Sequence, residues 1–282
     1  MDPDRNIVWI VSYPKSGNTW VRFLVCNLVY GVQLSAAALN RLVPDIHELR
    51  VMPELPTTAV FMKTHFPYSP AMPLAACTAA AIYVVRDPAD VMLSNFHYGR
   101  RDGSRTNTSA TALAEYVDRY LAARGAARWI ELGMGPWDDH VRSWLATRHP
   151  FPVLLLRYED LQRDDLAGAR ALCRFLGVTR SAEEMARAVA GASFDRLKEI
   201  EEHDIKGENV GIFYKPYLRS SIEAGVRFMR AGKSGEAARV LSVEQRQRVH
   251  ATFGALMQEL GYVNAEPGSA AAQTAGSIRS SS

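Results

Sequence analysis

Four short apolar runs recur along the chain, at residues 6–13, 58–64, 81–86 and 152–158. Each run is rich in β-branched and aromatic residues and is bounded by turn-forming residues, which is typical of a strand. Because the runs are almost continuously apolar, we expect strands that are covered on both faces, as in a parallel sheet.

Amphipathic segments with a helical period separate these runs. The pattern predicts helices at residues 18–30, 88–98, 110–126, 137–148, 165–177, 182–192, 194–202 and 243–260. This alternation predicts an α/β fold of three layers, a P-loop-like fold with a central parallel sheet flanked by helices. Residues 203–235 show no clean period, and we expect them to be irregular.

Length and composition favour one large domain. With 282 residues, of which 48% are hydrophobic, the chain can bury a sizeable core. We therefore assign residues 1–263 to a single domain. The tail at 264–282 consists mostly of Ser, Ala and Gly, and we expect it to be disordered.

The formal net charge of +3 is too small to indicate a nucleic-acid or membrane-binding surface. No stretch reaches the roughly 18 apolar residues that a membrane span needs. The three cysteines share no short spacing that would indicate a disulfide framework or a zinc site. We expect a cytoplasmic protein that binds neither nucleic acid nor membranes.

The stretch VSYPKSGNTW, at 11–20, joins the first predicted strand to the first predicted helix. Backbone N–H groups and the positive end of the helix dipole make such a junction a binding site for anions. A nucleoside-triphosphate loop would read G-x-x-x-x-G-K-[ST]. Aligned on Gly17, this chain has Ser12 in place of the first glycine and Asn18 in place of the lysine, and Lys15 lies inside the turn. The interpretation as an ATP loop therefore fails at two defining positions.

The segment YPKSGNTW resembles the 5′-phosphosulfate loop of the cytosolic-type sulfotransferases, whose usual form has threonine where Asn18 stands. These enzymes use 3′-phosphoadenosine 5′-phosphosulfate (PAPS) as sulfate donor and release 3′-phosphoadenosine 5′-phosphate (PAP). Four further segments resemble motifs of the family in the family's order: VVRDPADVMLSNFHY at 84–98, LLRYEDL at 155–161, ASFDRLK at 192–198 and RAGKSGE at 230–236.

The resemblance implies a role for each matching residue. Arg86 and Ser94 would bind the 3′-phosphate, which suits an arginine fork and a helix-borne hydroxyl. Tyr158, Phe194 and Trp20 would contact the adenine, and the loop that starts at Arg230 would close over the 3′-phosphate. The implied cofactor-binding residues are thus Lys15, Ser16, Gly17, Asn18, Thr19, Trp20, Arg86, Ser94, Tyr158, Phe194, Arg230, Ala231 and Gly232.

Two departures from the animal enzymes concern the region after this loop. Ala237 and Ala238 stand where tryptophan and lysine are usual, so the loop is expected to be held differently. The animal dimer motif K-x-x-x-T-V-x-x-x-E is largely lost, so a homodimer would have to use another surface. The forms SYPKxGNTW and RYEDL also resemble actinomycete sulfotransferases that modify glycopeptide antibiotics, which favours a bacterial enzyme of natural-product modification.

Sulfuryl transfer requires a base for the acceptor hydroxyl, cations for the moving charge and in-line geometry. The segment FMKTHFP, at 61–67, resembles the family's K-T-H-x-P, in which the histidine is the general base. We therefore predict four catalytic residues, with His65 as base, Lys63 as a cation near the acceptor, Lys15 at the leaving oxygen, and Ser94. The other histidines, His47 and His140 among them, are interpreted as surface or structural residues.

Lysines could supply the positive charge that a metal ion supplies in related reactions. We therefore expect no bound metal. Glu159 and Asp160 could mimic a metal-binding pair, but neighbouring side chains point apart on the strand predicted to carry them.

The acceptor is expected to contact segments 97–110 and 203–228. Six aromatic residues could wall an apolar site, which favours a phenolic or natural-product hydroxyl over a charged polysaccharide: Phe66, Tyr68, Phe96, Phe213, Tyr214 and Tyr217. The arginines 100, 101 and 105 could contact an acidic acceptor, but a run of exposed arginines is more often a solvated face, which is the interpretation we adopt. A P-loop kinase-like phosphotransferase and a non-catalytic nucleotide-binding regulator remain as alternatives, although a mere binder has little need for His65.

Overall fold

The structure is a computed structural model, and it describes residues 6–31, 35–49, 59–104, 107–145 and 148–262. The predicted tail at 264–282 lies outside these residues. Four strands form one parallel sheet in the order β2-β1-β3-β4. Their bounds are β1 Ile7–Ser12, β2 Val60–Thr64, β3 Thr78–Val85 and β4 Val153–Arg157. The four predicted strands and their parallel arrangement are therefore confirmed.

Thirteen α-helices lie within the described residues. They are α1 Asn18–Tyr30, α2 Ala36–Leu42, α3 Pro88–Arg101, α4 Ala110–Ala123, α5 Ala127–Glu131, α6 Trp137–Leu145, α7 Tyr158–Arg163, α8 Asp165–Leu176, α9 Ala182–Ala190, α10 Phe194–Lys206, α11 Arg219–Glu223, α12 Glu236–Val240 and α13 Val243–Glu259. Short 3₁₀ helices occupy Ile46–Glu48, Ala75–Cys77 and Pro216–Leu218. None of the helices in the described ranges is both long and apolar enough to span a bilayer.

Two differences from the predicted helices have local causes. The predicted helix at 110–126 ends earlier, at Ala123, because Arg124 adopts a left-handed conformation with φ 54° and ends α4, and a separate helix α5 starts at Ala127. The region expected to be irregular from 203 onward instead begins with the last turn of α10 and later contains α11. The short helices α2, α7, α11 and α12 carry too few periodic positions to be recognised from sequence.

Both faces of the sheet are buried, which explains why the strands read as continuous apolar runs. Along β1, Ile7, Trp9 and Val11 belong to one hydrophobic cluster, and Val8 and Ile10 belong to another. Residues of α3, α4, α6 and α13 complete the first cluster, and residues of α1, α8, α9 and α10 complete the second. The predicted three-layer architecture is confirmed.

A buried ion pair fastens the region after α10 to the rest of the fold. Arg101, at the end of α3, is 2% exposed, and its Nη1 lies 3.2 Å from Oε1 of Glu201 on α10. The same carboxylate accepts hydrogen bonds from the backbone N–H groups of Phe228 at 2.6 Å and Met229 at 2.8 Å. The interpretation of Arg101 as part of a solvated face is therefore wrong, whereas Arg100 is exposed.

We predict that Glu201→Ala destabilises the protein by about 3–5 kcal/mol, because it leaves a buried guanidinium and two backbone N–H groups without their acceptor. Urea unfolding followed by circular dichroism measures this loss. Glu199→Ala is the matched control on the same helix, since it removes only an exposed ion pair with Arg196. A loss for Glu201→Ala no greater than that of the control would contradict the prediction.

Candidate active site

A cavity of about 590 Å³ lies where the carboxyl ends of the four strands meet. Most of the predicted catalytic and cofactor-binding residues line it: Lys15, Gly17, Asn18, Thr19, Trp20, Lys63, His65, Arg86, Ser94, Tyr158, Phe194, Arg230, Ala231 and Gly232. Ser16 is the exception, because it is buried and does not contribute to the wall. Its Oγ has no hydrogen-bond partner within the described residues.

The loop after β1 turns sharply at two left-handed residues, Lys15 with φ 75° and Gly17 with φ 101°. Glycine is required at position 17, since a Cβ there would lie 2.6 Å from the ring of Tyr158. Asn18 begins α1, and its amide Nδ2 donates a hydrogen bond to the carbonyl of Ile10 at 3.1 Å. The side chain that replaces the usual threonine thus ties α1 back to β1.

Lys15 points its ammonium group between two aromatic rings. Its Nζ lies 4.2 Å from the ring centroid of Tyr98 and 4.3 Å from that of Phe228, which are cation–π distances. Burial, and next the nearby guanidinium groups of Arg101 and Arg86, lower the pKa of Lys15 to about 7. An anion in the cavity would favour the charged form of this lysine.

Arg86 follows β3 and anchors the loop at 230–235. Its Nη2 donates a hydrogen bond to the carbonyl of Lys233 at 2.9 Å, and its guanidinium lies 4.4 Å from the ring centroid of Tyr158. Its Nε is buried without a partner in the described part of the chain. Because Arg86 lines the cavity, its guanidinium is placed to meet an anion that binds there.

The region that follows this loop is held by a carboxylate on α3. Asp90 accepts hydrogen bonds from the N–H groups of Gly235 at 2.7 Å and Ala237 at 2.9 Å. The expectation that the loop is held differently from that of the animal enzymes remains a prediction, and these two contacts supply its physical basis.

Gly232, in the loop at 230–235, packs closely against the ring of Phe194, the first residue of α10. Gly232 has φ 60°, and a Cβ there would lie 2.1 Å from the Phe194 ring. Gln162, which the sequence analysis missed, donates to the Gly232 carbonyl and accepts from the Ser234 N–H at 2.8 Å. Arg230 itself forms an ion pair with Glu236.

Tyr158 packs edge to face against Trp20, with ring centroids 5.4 Å apart. The sequence analysis placed it on a strand together with Glu159 and Asp160, but all three lie in α7. Glu159 accepts hydrogen bonds from the Asp87 N–H at 3.0 Å and the Tyr262 hydroxyl at 3.0 Å, so its role is structural. Within the residues that the structure describes, no group of three or more His, Cys, Asp or Glu side chains could hold a metal ion.

His65 follows β2, and the position of its ring proton can be deduced from one contact. Its Nδ1 lies 2.6 Å from the carbonyl oxygen of Ser12. Because a carbonyl only accepts hydrogen bonds, Nδ1 carries the proton and Nε2 keeps its lone pair. Burial, and next the charge of Lys63, hold the pKa of His65 well below 6.5. The imidazole is therefore neutral near pH 7.

Lys63, at the end of β2, forms a short ion pair with Asp45, with 2.6 Å between Nζ and Oδ2. Burial lowers the pKa of this lysine, and the Asp45 carboxylate opposes that shift. One edge of the sheet thus presents a neutral histidine and a paired lysine beside an anion-binding loop.

The sequence model of the sulfotransferase domain matches residues 5–261 of the chain. The chain belongs to the sulfotransferase family. It is 27% identical to rat sulfotransferase 2A1 over 261 residues, which covers 89% of this chain and 84% of the relative. It is 26% identical to dog sulfotransferase 1A1 over 266 residues, which covers 89% of this chain and 83% of the relative.

Solved structures support the fold. Mouse sulfotransferase SULT7A1 complexed with PAP matches with a TM-score of 0.63 and 22% identity, over 92% of this chain and 86% of its own. Retinol dehydratase in complex with androsterone and the inactive cofactor PAP matches with a TM-score of 0.64 and 20% identity, over 92% of this chain and 82% of its own. The predicted family, fold and enzyme class are confirmed, together with the sulfate donor of the family.

The acceptor end of this sulfotransferase differs from the prediction. Of the six predicted aromatic residues, only Tyr217 lines the cavity. Phe96, Phe213 and Tyr214 are buried in the core, and Phe66 and Tyr68 pack against a hydrophobic cluster. The apolar wall consists instead of Tyr98, Trp129, Leu132, Met134, Ile212, Leu218 and Phe228. Four of these belong to the two predicted acceptor segments, and 129, 132 and 134 lie outside both.

The segment at 43–48 was missed altogether. Asp45, His47 and Glu48 all line the cavity, so the interpretation of His47 as a surface or structural residue is incomplete. His140 is fully buried, as expected of a structural residue. The segment carries neither a strand nor a helix period, and only the succession of Pro, Asp and His could have drawn attention to it.

We predict that Lys15 of the ligand-free protein titrates at a pH of about 7, because burial and three neighbouring guanidinium groups disfavour its charged form. NMR of [ε-¹³C]lysine-labelled protein measures the titration, and Lys15→Arg assigns the resonance by removing it. Phe228→Leu is expected to lower the pKa further, since it removes one of the two rings that face the ammonium. A Lys15 resonance that titrates near the ordinary lysine value of about 10.4 would refute the description of this pocket.

Proposed function

We propose that this sulfotransferase moves the sulfuryl group of PAPS to a phenolic hydroxyl of a small natural-product acceptor, with His65 as general base. The observation that carries the proposal is the fixed tautomer of His65. Its Nδ1–H is bonded to the carbonyl of Ser12, its Nε2 has no hydrogen-bond partner among the residues that the structure describes, and its side chain lines the same cavity as the anion-binding loop.

The residues at the donor end suit PAPS, which supplies the activated sulfuryl group. In the proposed arrangement, the loop at 13–20 and the N-terminus of α1 bind the 5′-phosphosulfate. Arg86, Ser94 and Arg230, which all line the cavity, bind the 3′-phosphate. Tyr158, Trp20 and Phe194 flank the adenine.

At the acceptor end, Nε2 of His65 takes the proton of the acceptor hydroxyl as the oxygen attacks. Lys63 stabilises negative charge on the acceptor oxygen, and Lys15 stabilises charge on the bridging oxygen that leaves. The position of Lys15 inside the loop, which a triphosphate loop would not require, suits this second role. Ser94 lines the same cavity as these residues.

An apolar ring is the best match to the acceptor wall. Tyr98, Trp129 and Phe228 provide aromatic faces, and Leu132 and Met134 provide aliphatic ones. Together with the resemblance to enzymes of glycopeptide antibiotics, this makes phenolic natural products the proposed acceptor class. We further propose a cytoplasmic enzyme with one domain at 1–263, in which any homodimer uses a surface other than the animal dimer motif.

We predict that His65→Ala lowers turnover at least about 100-fold, the usual range for loss of a general base. Transfer of radiolabelled sulfate from PAPS to a panel of phenols and alcohols measures the turnover. Titration calorimetry with PAP should give an affinity close to wild type, because His65 lies at the acceptor end. With PAPS saturating, so that the bound anion keeps Lys15 charged, kcat/KM of the wild type for the acceptor should not decline as the pH falls to 6.5 and should decline only well below it, since the pKa of His65 is lowered.

His203→Ala serves as the control, because this histidine is exposed on α10. Near-wild-type turnover of His65→Ala on the preferred acceptor would exclude His65 as the base. Failure of the wild type to transfer sulfate to any acceptor, despite binding PAP, would overturn the proposed function itself.

A further inference from the structure

The segment at 43–48 runs alongside the reactive end of β2. The backbone N–H of Lys63 donates to the carbonyl of Pro44 at 2.9 Å, and Asp45 forms an isolated parallel bridge with Lys63. The segment therefore lies at a fixed register against the strand that carries both the proposed cation and the proposed base.

The first contact of this segment is with the cation. The Asp45 carboxylate binds Nζ of Lys63 at 2.6 Å, with side-chain exposures of 12% and 11%. Asp45 is itself held, because its Oδ1 accepts the backbone N–H of His47 at 3.0 Å. A lysine stem has four rotatable bonds, so an immobilised carboxylate restricts where its charge lies.

The second contact is with the backbone of the base. Nε2 of His47 accepts the backbone N–H of His65 at 2.8 Å, and burial lowers the pKa of His47 to about 4, so this nitrogen stays an acceptor at neutral pH. On the other side, Nε2 of His140 lies 3.0 Å from the carbonyl oxygen of His65, and its Nδ1 lies 2.8 Å from the Tyr83 hydroxyl. The Ser12 carbonyl contacts the His65 ring at Nδ1. Three separate segments, which contain Ser12, His47 and His140, therefore hold His65 in place.

We propose that Asp45 and His47 are positioning residues of the transfer reaction. Asp45 fixes the ammonium of Lys63, and His47 fixes the main chain of His65, so that cation and base face the same acceptor oxygen. This inference rests on the proposed roles of Lys63 and His65. Because reaction rates fall steeply when reacting groups are misplaced by an ångström, such restraints act on turnover and not on donor affinity.

The test compares His47→Ala, His47→Gln and Asp45→Asn with wild type in transfer from PAPS to phenol, whose hydroxyl keeps its proton at neutral pH and therefore needs the base. We expect His47→Ala and Asp45→Asn to lower kcat about tenfold or more, with little change in KM or in PAP affinity. His47→Gln should recover most of the loss, since an amide oxygen can accept the same N–H. His203→Ala and Asp118→Asn are controls that remove an exposed histidine and an exposed ion pair.

Hydrogen exchange of the His65 amide, measured by NMR, gives a readout that does not depend on turnover. It should quicken about tenfold or more in His47→Ala and return toward wild type in His47→Gln. Unchanged kcat and unchanged exchange in His47→Ala would overturn the proposal, as would a loss of kcat that glutamine does not rescue. If the wild type binds PAP but transfers sulfate to no acceptor, the proposed function is excluded. The exchange rates of the His65 amide then still test whether His47 restrains the backbone of His65.

Discussion

Parallel pairing of the four strands is the constraint on which the rest of the structure depends. Both faces of the sheet are buried beneath helices, so polar side chains can only gather at the strand ends. Each strand delivers one component of the site to the same edge: Lys15 follows β1, Lys63 ends β2, Arg86 follows β3 and Tyr158 follows β4. Residues far apart in sequence thereby surround one cavity.

Gathering cations at this edge is unfavourable unless each charge has a partner. Asp45 neutralises Lys63, and Asp90 lies beside Arg86. Lys15 forms no ion pair within the described residues, and two aromatic rings face its ammonium instead. The site is thus electrostatically prepared for an anion next to Lys15, where the proposed donor would place its phosphosulfate. Burial, and next the guanidinium groups of Arg101 and Arg86, lower the pKa of Lys15, and an anion bound beside it would oppose that shift.

Much of this arrangement could be predicted from sequence, because the strands and the loop after β1 have local signatures. The segment at 43–48 could not, since Asp45 and His47 gain their roles from pairing with β2, and no period in the sequence records that pairing. Arg101 was misjudged for a similar reason, as its partner Glu201 is 100 residues away. The error at the acceptor end was avoidable: Phe96 continues the apolar stripe of Met92 on α3, whereas Tyr98 lies on another face of the same helix.

The central claim is that this edge of the sheet binds a nucleotide with phosphates at both the 3′ and the 5′ positions. Titration calorimetry with PAP, 5′-AMP, and ATP with magnesium tests it most directly. PAP should bind at least about 100-fold more tightly than either competitor, a difference of about 2.7 kcal/mol. ATP with magnesium binding as tightly as PAP, or 5′-AMP equalling it, would contradict the account.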